Sequence, residues 1–340
     1  MPLTASSAPY ANSLWRPTPA DIADAALRLR PHAVRTPLLE NVLLNQRLGG
    51  RLLLKAESVQ RTGSFKFRGA YNHVSRLSAD QLARGVVAFS SGNHAQGVAY
   101  AAALCKAPAV IVMPADAPQI KLANTRALGA EVVTYNRQTE NREAIGDAIA
   151  RERGLALVRP FDDSWVVAGQ GTVGLEISEQ CAEMGLAPDA VLAPCGGGGL
   201  VAGTAIAVRD RMPATAIYGV EPEGFDDTAR SLAAGRRMAH GPGHSVCDAL
   251  LAPMPGELTF AINSELLAGV LVVTDTEVEH AMATAFHYFK LVVEPGGAVA
   301  IAAILAGKLP VSGRAIVAVA SGGNVDPAYF AAVLGRAQPA

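Results

Sequence analysis

The feature that most constrains this chain is a rhythm. Short runs rich in Val, Ile and Ala alternate with longer stretches of helical periodicity along most of its length. "GVVAFS" reads as a strand and "HAQGVAYAAALC" as a helix, and "APAVIVMP", "QIKLANTRALG", "AEVVTYN", "NREAIGDAIARERG" and "LALVRPF" repeat the pair. The alternation restarts with "GTVGLEISEQCAEMG", "AVLAPC", "GLVAGTAIAVRDRM" and "AIYGVEP". It closes on the helices "TEVEHAMATAFHYFKL" and "GGAVAIAAILAG" and the strand "RAIVAVAS". Apolar strands joined by crossover helices are the pattern of parallel sheets buried on both faces. The predicted fold class is α/β. Residues 74–164 form one compact run of this alternation, expected to be a small domain inserted into a larger one made of 15–73 and 165–335.

Composition narrows the function classes. Of 340 residues, 50% are hydrophobic and 17% charged, ample for a packed core. The net charge is -1 and no dense Lys/Arg run is present, so no phosphate-tracking stripe for nucleic acid is expected. The longest apolar stretches are too short and too glycine-interrupted to span a bilayer, so no membrane partner is expected. Residues 1–14 lack a basic start followed by an apolar run and read as a disordered tail. Cys105, Cys181, Cys195 and Cys247 form no CxxC pair. That spacing argues against a zinc or disulfide framework and for a cytoplasmic home.

Two stretches carry candidate chemistry. In "TGSFKFRGAYN" Lys66 sits between two phenylalanines. It is either a surface lysine with a buried stem, or an amine in a dry pocket whose lowered pKa makes it a nucleophile or base. "CGGGGLVAG", residues 195–203, follows a strand and opens a helix. Glycines there let backbone N–H groups approach a ligand, and the helix N-terminus adds partial positive charge, which makes a phosphate cradle. A rival reading takes Gly197, Gly199 and Ala202 as a dinucleotide fingerprint with Glu221 on the ribose, but it gives Lys66 nothing to do. Pyridoxal phosphate needs both a lysine amine and a phosphate anchor. "SSGNHAQG" and "VASGGN" offer further polar loops after strands. The first could hold the ring 3'-oxygen and a substrate carboxylate, and the second places Ser321 to meet the ring nitrogen.

"TGSFKFRGAYN", "SSGNHAQG", "PCGGGGLVAG", "VEP" and "VASGGNVD" stand in this order along residues 33–330. In wording and spacing the set resembles the fold type II, tryptophan synthase β-like, pyridoxal phosphate enzymes, in particular the threonine/serine dehydratase and serine racemase group. The resemblance implies two three-layer domains with the cofactor in the cleft between them. It implies that Lys66 carries the cofactor, Phe65 packs on the ring and Asn93 bonds the 3'-oxygen. Gly196, Gly197, Gly198, Gly199 and Leu200 would hold the phosphate and Ser321 the ring nitrogen. Ser64, Ser91, Asn93 and His94 would form the substrate-carboxylate region, with Ser91 acting on the face opposite Lys66. For His94 the alternative is a backbone donor whose ring does no proton work. Arg142 matches an arginine near the substrate in the racemases, or is a solvated helix arginine.

The same resemblance implies water elimination from a 3-hydroxy amino acid, with racemisation as an alternative. Glu221, the Phe225 carbonyl and Asp227 match a divalent-cation site suited to Mg²⁺, Ca²⁺ or Mn²⁺, the alternative being a solvated acidic turn. A homodimer is expected. Asp248-Ala249 replaces the group's Asp-Gly, which leaves hydroxyaspartate open as substrate beside threonine and serine. The short stretch after "SGGN" implies no C-terminal regulatory domain. A ligand-binding protein without catalysis is a third class, which the fold alone does not exclude.

Overall fold

The computed structural model describes residues 14–90, 92–117, 119–241 and 243–337. The expected tail, apart from Leu14, and Ser91 lie outside the described residues. The strands are β1 Leu38–Glu40, β2 Arg51–Ala56, β3 Val86–Phe89, β4 Ala109–Pro114, β5 Glu131–Tyr135, β6 Ala156–Leu157, β7 Ala190–Pro194, β8 Ala216–Pro222, β9 Gly269–Val273 and β10 Ala315–Ala320. They form a six-stranded sheet, β1-β2-β10-β7-β8-β9, and a four-stranded sheet, β5-β4-β3-β6. All pairings are parallel except β1 with β2. That exception has a local cause: only the short helix Val42–Leu48 joins the two strands, so the chain turns back instead of crossing over.

Side-chain alternation makes each sheet the middle of three layers. Leu52, Leu54, Leu192, Ile316 and Ala318 face one core with the helix Pro295–Leu305, whereas Leu53, Val191, Ala193, Val317 and Val319 face another with Val201, Ala205 and Val208. In the small sheet Val86, Ala88 and Ile111 pack to one side, and Val87, Phe89 and Val112 to the other. A period of two with both faces apolar is what a sheet covered on both sides requires.

Two predicted elements come out differently. "LALVRPF" supplies only the two-residue β6, because the chain leaves the sheet at Val158 and carries Pro160 and Phe161 into the cleft described below. "TEVEHAMATAFHYFKL" is α-helical to Thr284 and continues as a π-helical turn, Ala285–Phe289, which ends at Lys290 with φ 59°.

The helix Lys66–Val74 is fixed from below by a buried ion network. Arg68 Nε and Nη2 each donate to Glu57 at 2.8 Å, and Nη1 and Nη2 donate to Glu176 at 2.7 and 2.9 Å. Lys55 Nζ donates to Glu176, to Gln180 at 2.9 Å and to the Thr36 carbonyl at 2.8 Å. Burial alone would raise the Glu57 pKa, yet Arg68 outweighs it and holds the carboxylate below its usual range. Backbone contact adds to this. A Cβ at Gly169 of the helix Ser164–Glu183 would lie 2.7 Å from the Arg68 carbonyl oxygen, and one at Gly203 of the helix Gly199–Arg211 would lie 2.6 Å from the Gly171 nitrogen.

Removing one partner of a buried, hydrogen-bonded pair strands the other charge. Glu57→Ala should therefore cost about 3–5 kcal/mol in urea unfolding. A loss under about 1 kcal/mol would place this network outside the folded core's energetics.

Candidate active site

Four loops at the C-terminal ends of parallel strands converge on one cleft, the usual ligand position in open α/β sheets. The loop after β2 brings Phe65 and Lys66, the loop after β3 brings Ser90, Gly92, Asn93 and His94, the loop after β7 brings the glycine run, and Ser321 follows β10. All of these but Gly198 line the cleft, with Arg142, Pro160, Phe161, Gln170, Lys121, Asp248 and Glu294.

Lys66 lines the cleft. The residue begins its helix and is partly buried; Nζ donates to the Pro160 carbonyl at 2.7 Å and stands 5.2 Å from the centre of the Phe65 ring. Burial, then the positive charge of Arg142, lower its pKa to about 8, with Glu294 opposing. At neutral pH a useful fraction of this amine is unprotonated, as a nucleophile needs.

The glycine run is packed on every side. A Cβ at Gly197 would strike the Phe161 ring, one at Gly196 would lie 3.1 Å from the Leu250 backbone, and one at Gly198 (φ 89°) would lie 2.7 Å from Asn263 Nδ2. Gly199 and Leu200 start the helix Gly199–Arg211, whose N-terminus has no side-chain cap. Its first amides are thus free to receive an anion.

His94 Nε2 bonds the Val158 carbonyl at 2.9 Å, and burial, then Lys66, push its pKa down to about 3. The ring is neutral at physiological pH, in line with the reading that it does no proton work. Arg142 also lines the cleft, its guanidinium 5.9 Å from the Phe89 ring centre, and has no acidic partner among the described residues. It is partly buried at the start of the helix Arg142–Arg153. Ser64 is buried behind the cleft, its backbone bridged to Gly322 and its hydroxyl without a partner among the described residues.

Glu221 and Asp227 lie apart from the cleft lining. The Glu221 carboxylate accepts from the Thr228 and Ala229 amides at 3.0 and 2.9 Å, while both Asp227 carboxylate oxygens are buried without a partner among the described residues. Burial raises both, Glu221 to about 8 with Asp227 adding to it, and Asp227 to about 7. The pair is no solvated turn. Among the described residues no group of three or more His, Cys, Asp or Glu side chains is placed to hold a metal.

Sequence reasoning missed Glu294. It sits before Pro295 at a helix start, where a glutamate is unremarkable, and only the fold brings it to Asn93, whose Nδ2 donates to Glu294 Oε1. Burial, then Asp248, raise its pKa to about 8.

A partly buried lysine of lowered pKa and a glycine-lined helix start in one two-sheet cleft define a pyridoxal-phosphate type of site. The family model "Pyridoxal-phosphate dependent enzyme" matches residues 29–322, and the chain belongs to that family. It is 42% identical over 318 residues to the L-threo-3-hydroxyaspartate ammonia-lyase of Saccharomyces cerevisiae, covering 94% of this chain and 96% of that one. It is 39% identical over 310 residues to a catabolic L-threonine dehydratase of Staphylococcus aureus, covering 90% and 88%. Among solved structures it is similar to a T.th. threonine deaminase (TM-score 0.86, 47% identity, 91% and 99% covered) and to maize serine racemase (TM-score 0.88, 35% identity, 95% and 98% covered). The expected α/β fold of the tryptophan synthase β-like enzymes is borne out. The uncapped helix start, the side-chain-free glycine run and the dry amine fit the cofactor's phosphate and aldehyde. The dinucleotide reading falls, because Glu221 is sealed by backbone amides away from the cleft. No helix among the described residues is long and apolar enough to cross a membrane.

Uptake of pyridoxal phosphate by the cofactor-free chain should accelerate as pH rises through about 8 and then level off. A solvated lysine would go on accelerating towards about 10.4. Growth of the near-visible band, followed by stopped flow, separates the two profiles, and Lys66→Ala should form no band.

Proposed function

We propose that this enzyme eliminates water from a 3-hydroxy amino acid, giving a 2-oxo acid and ammonia. The carrying observation is the dry Lys66 amine in one cleft with the uncapped helix start after the glycine run. Pyridoxal phosphate, when bound, supplies an electron sink for the charge left at the substrate α-carbon. In this reading Lys66 Nζ would hold the cofactor and, as a free amine, would take the substrate α-proton. Amides of Gly196 to Leu200 hold the phosphate. Phe65 packs on the ring, and Asn93 and Ser321 meet its polar atoms. The loop from Ser90 to His94 binds the substrate carboxylate, with Ser64 supporting it from behind. The β-carbon–oxygen bond then breaks and water leaves. The released enamine hydrolyses to the 2-oxo acid and ammonia. Racemisation would need a proton from the opposite face, a role the resemblance gives to Ser91, which is outside the described residues.

One observation favours 3-hydroxyaspartate over serine or threonine within this reading. Arg142 lines the cleft with no acidic partner among the described residues, a fit for a second carboxylate. The test is ammonia and oxo-acid release from L-serine, L-threonine and L-threo-3-hydroxyaspartate; no turnover of any would sink the elimination reading. Arg142→Gln should lower kcat/KM for hydroxyaspartate by roughly 10- to 100-fold, the worth of a charge-assisted hydrogen bond, while leaving serine within a few-fold. Equal losses on both substrates would remove Arg142 from the second-carboxylate role.

Two further parts of this reading concern the rest of the molecule. The unpartnered Asp227 oxygens, with Glu221 and the Phe225 carbonyl, form a hard oxygen set for a divalent cation such as Mg²⁺. A homodimer would cover the exposed Val42, Leu43, Phe286 and Val292. Chelation should lower the thermal midpoint, and Mg²⁺ should restore it, because a ligand of the native state stabilises it by mass action. An unchanged midpoint in chelator would leave the carboxylate pair without a metal.

A further inference from the structure

Three of the converging loops are tied together by a chain of side chains whose direction is fixed at one end. Asn324 Nδ2 donates to the Thr62 carbonyl at 2.8 Å and to Asn93 Oδ1 at 2.7 Å. A backbone carbonyl can only accept, so the Asn324 amide has one allowed orientation. It then presents donors to Asn93, and the atom of Asn93 facing it must be the oxygen. Asn93 Nδ2 is thereby turned the other way, and one of its N–H bonds goes to Glu294 Oε1. The second N–H is left over, on a side chain that lines the cleft with Lys66 and Ser321.

The glycines of two motifs make room for this chain. A Cβ at Gly322 would strike Glu294 Oε1, and one at Gly63 (φ 74°) would lie 2.5 Å from Asn324 Oδ1. Thr62, whose carbonyl sets the direction, has φ 60°, an unusual value for a residue with a branched Cβ. Glu294 is 2% exposed and its own amide donates to the Gly322 carbonyl at 3.0 Å, so its position is set by the same loop.

We propose that Glu294 and Asn324 are positioning residues that lock the Asn93 amide from both sides, so that it donates its remaining N–H to an oxygen acceptor of the ligand beside Lys66. The proposal rests on the pyridoxal phosphate reading, in which that acceptor is the oxygen on the cofactor ring. Without either lock the amide can turn and present its carbonyl to another acceptor, which repels it.

Pyridoxal phosphate titration, read by fluorescence and by the position of the bound absorption band, tests this apart from turnover. Glu294→Leu and Asn324→Ala should each weaken cofactor binding by about three- to tenfold, the range of one net hydrogen bond, and each should move the band. Glu294→Gln keeps an acceptor oxygen and should stay close to wild type. In an Asn93→Ala background, both substitutions should have no further effect on affinity or band. Further weakening there would overturn the proposal, because the residues would then act by another route. So would unchanged binding and band in Asn324→Ala, a half-buried position where the chain should fold even if Glu294→Leu does not. A wild-type chain that binds no pyridoxal phosphate would bring down the cofactor reading and this proposal with it, whereas tight binding indifferent to these substitutions brings down only the proposal.

Discussion

The guanidinium of Arg68 is the interaction on which the rest of the site depends. It is clamped by Glu57, just beyond β2, and by Glu176 on the helix Ser164–Glu183. Lys55 joins Glu176 and balances the charges at two positive and two negative. A network of this kind contributes little net stability over an apolar core, because desolvation offsets the attraction. Its directional bonds do something else: they fix how the helix that starts at Lys66 sits against Glu57 and the helix Ser164–Glu183. The catalytic candidate is two residues from the clamp, on a first turn whose carbonyls touch Gly169. Precision at the amine is thus built from charges that never reach the cleft.

Inside the cleft the dominant electrostatic influence is burial. It heads the causes for Lys66, His94 and Glu294, pushing the amine and the imidazole towards their neutral forms and the carboxyl likewise. Near neutral pH Glu294 and His94 are therefore largely uncharged, while Lys66 keeps much of its charge with a fraction of free amine. That suits a cofactor bringing its own phosphate charge, which the glycine run meets with backbone dipoles instead of a fixed cation. Arg142 and Lys121 are the other cations of the lining; Lys121 is paired with Asp248.

Much of this was legible in the sequence where the signal was local. The strands β3, β4, β5, β7, β8 and β10 were readable as apolar runs between helical stretches. β1 and β9 were not: one is three residues long, and the other, "GVLVV", is only half-buried at an edge of the sheet. "RLLLKA" was missed as β2 although it is buried in the large sheet, because it precedes the regular alternation and carries Lys55, whose burial depends on Glu176 and Gln180 far along the chain. The glycine run, Asn93 and Ser321 stood out because each follows a readable strand as a short motif, and Lys66 because one amine stands between two phenylalanines. Glu294 did not, since its meaning lies in a bond to a residue 201 positions away. Ser64, expected near the substrate carboxylate, is buried beside the cleft lining with its backbone bridged to Gly322, a pairing that no local pattern announces.

The glycines at 169 and 203 have a mechanical consequence. Through them the helix bearing Lys66 and the helix that begins at the phosphate cradle are both mounted, main chain against main chain, on the single rod Ser164–Glu183. There is no side-chain slack at either joint, so the rod works as a gauge block that sets the spacing between amine and anion site. The helix Asn93–Leu104 presses on the same joint, since a Cβ at Gly97 would lie 3.2 Å from the Lys66 carbonyl carbon. The amine end of the gauge is thus clamped from two sides, main chain against main chain.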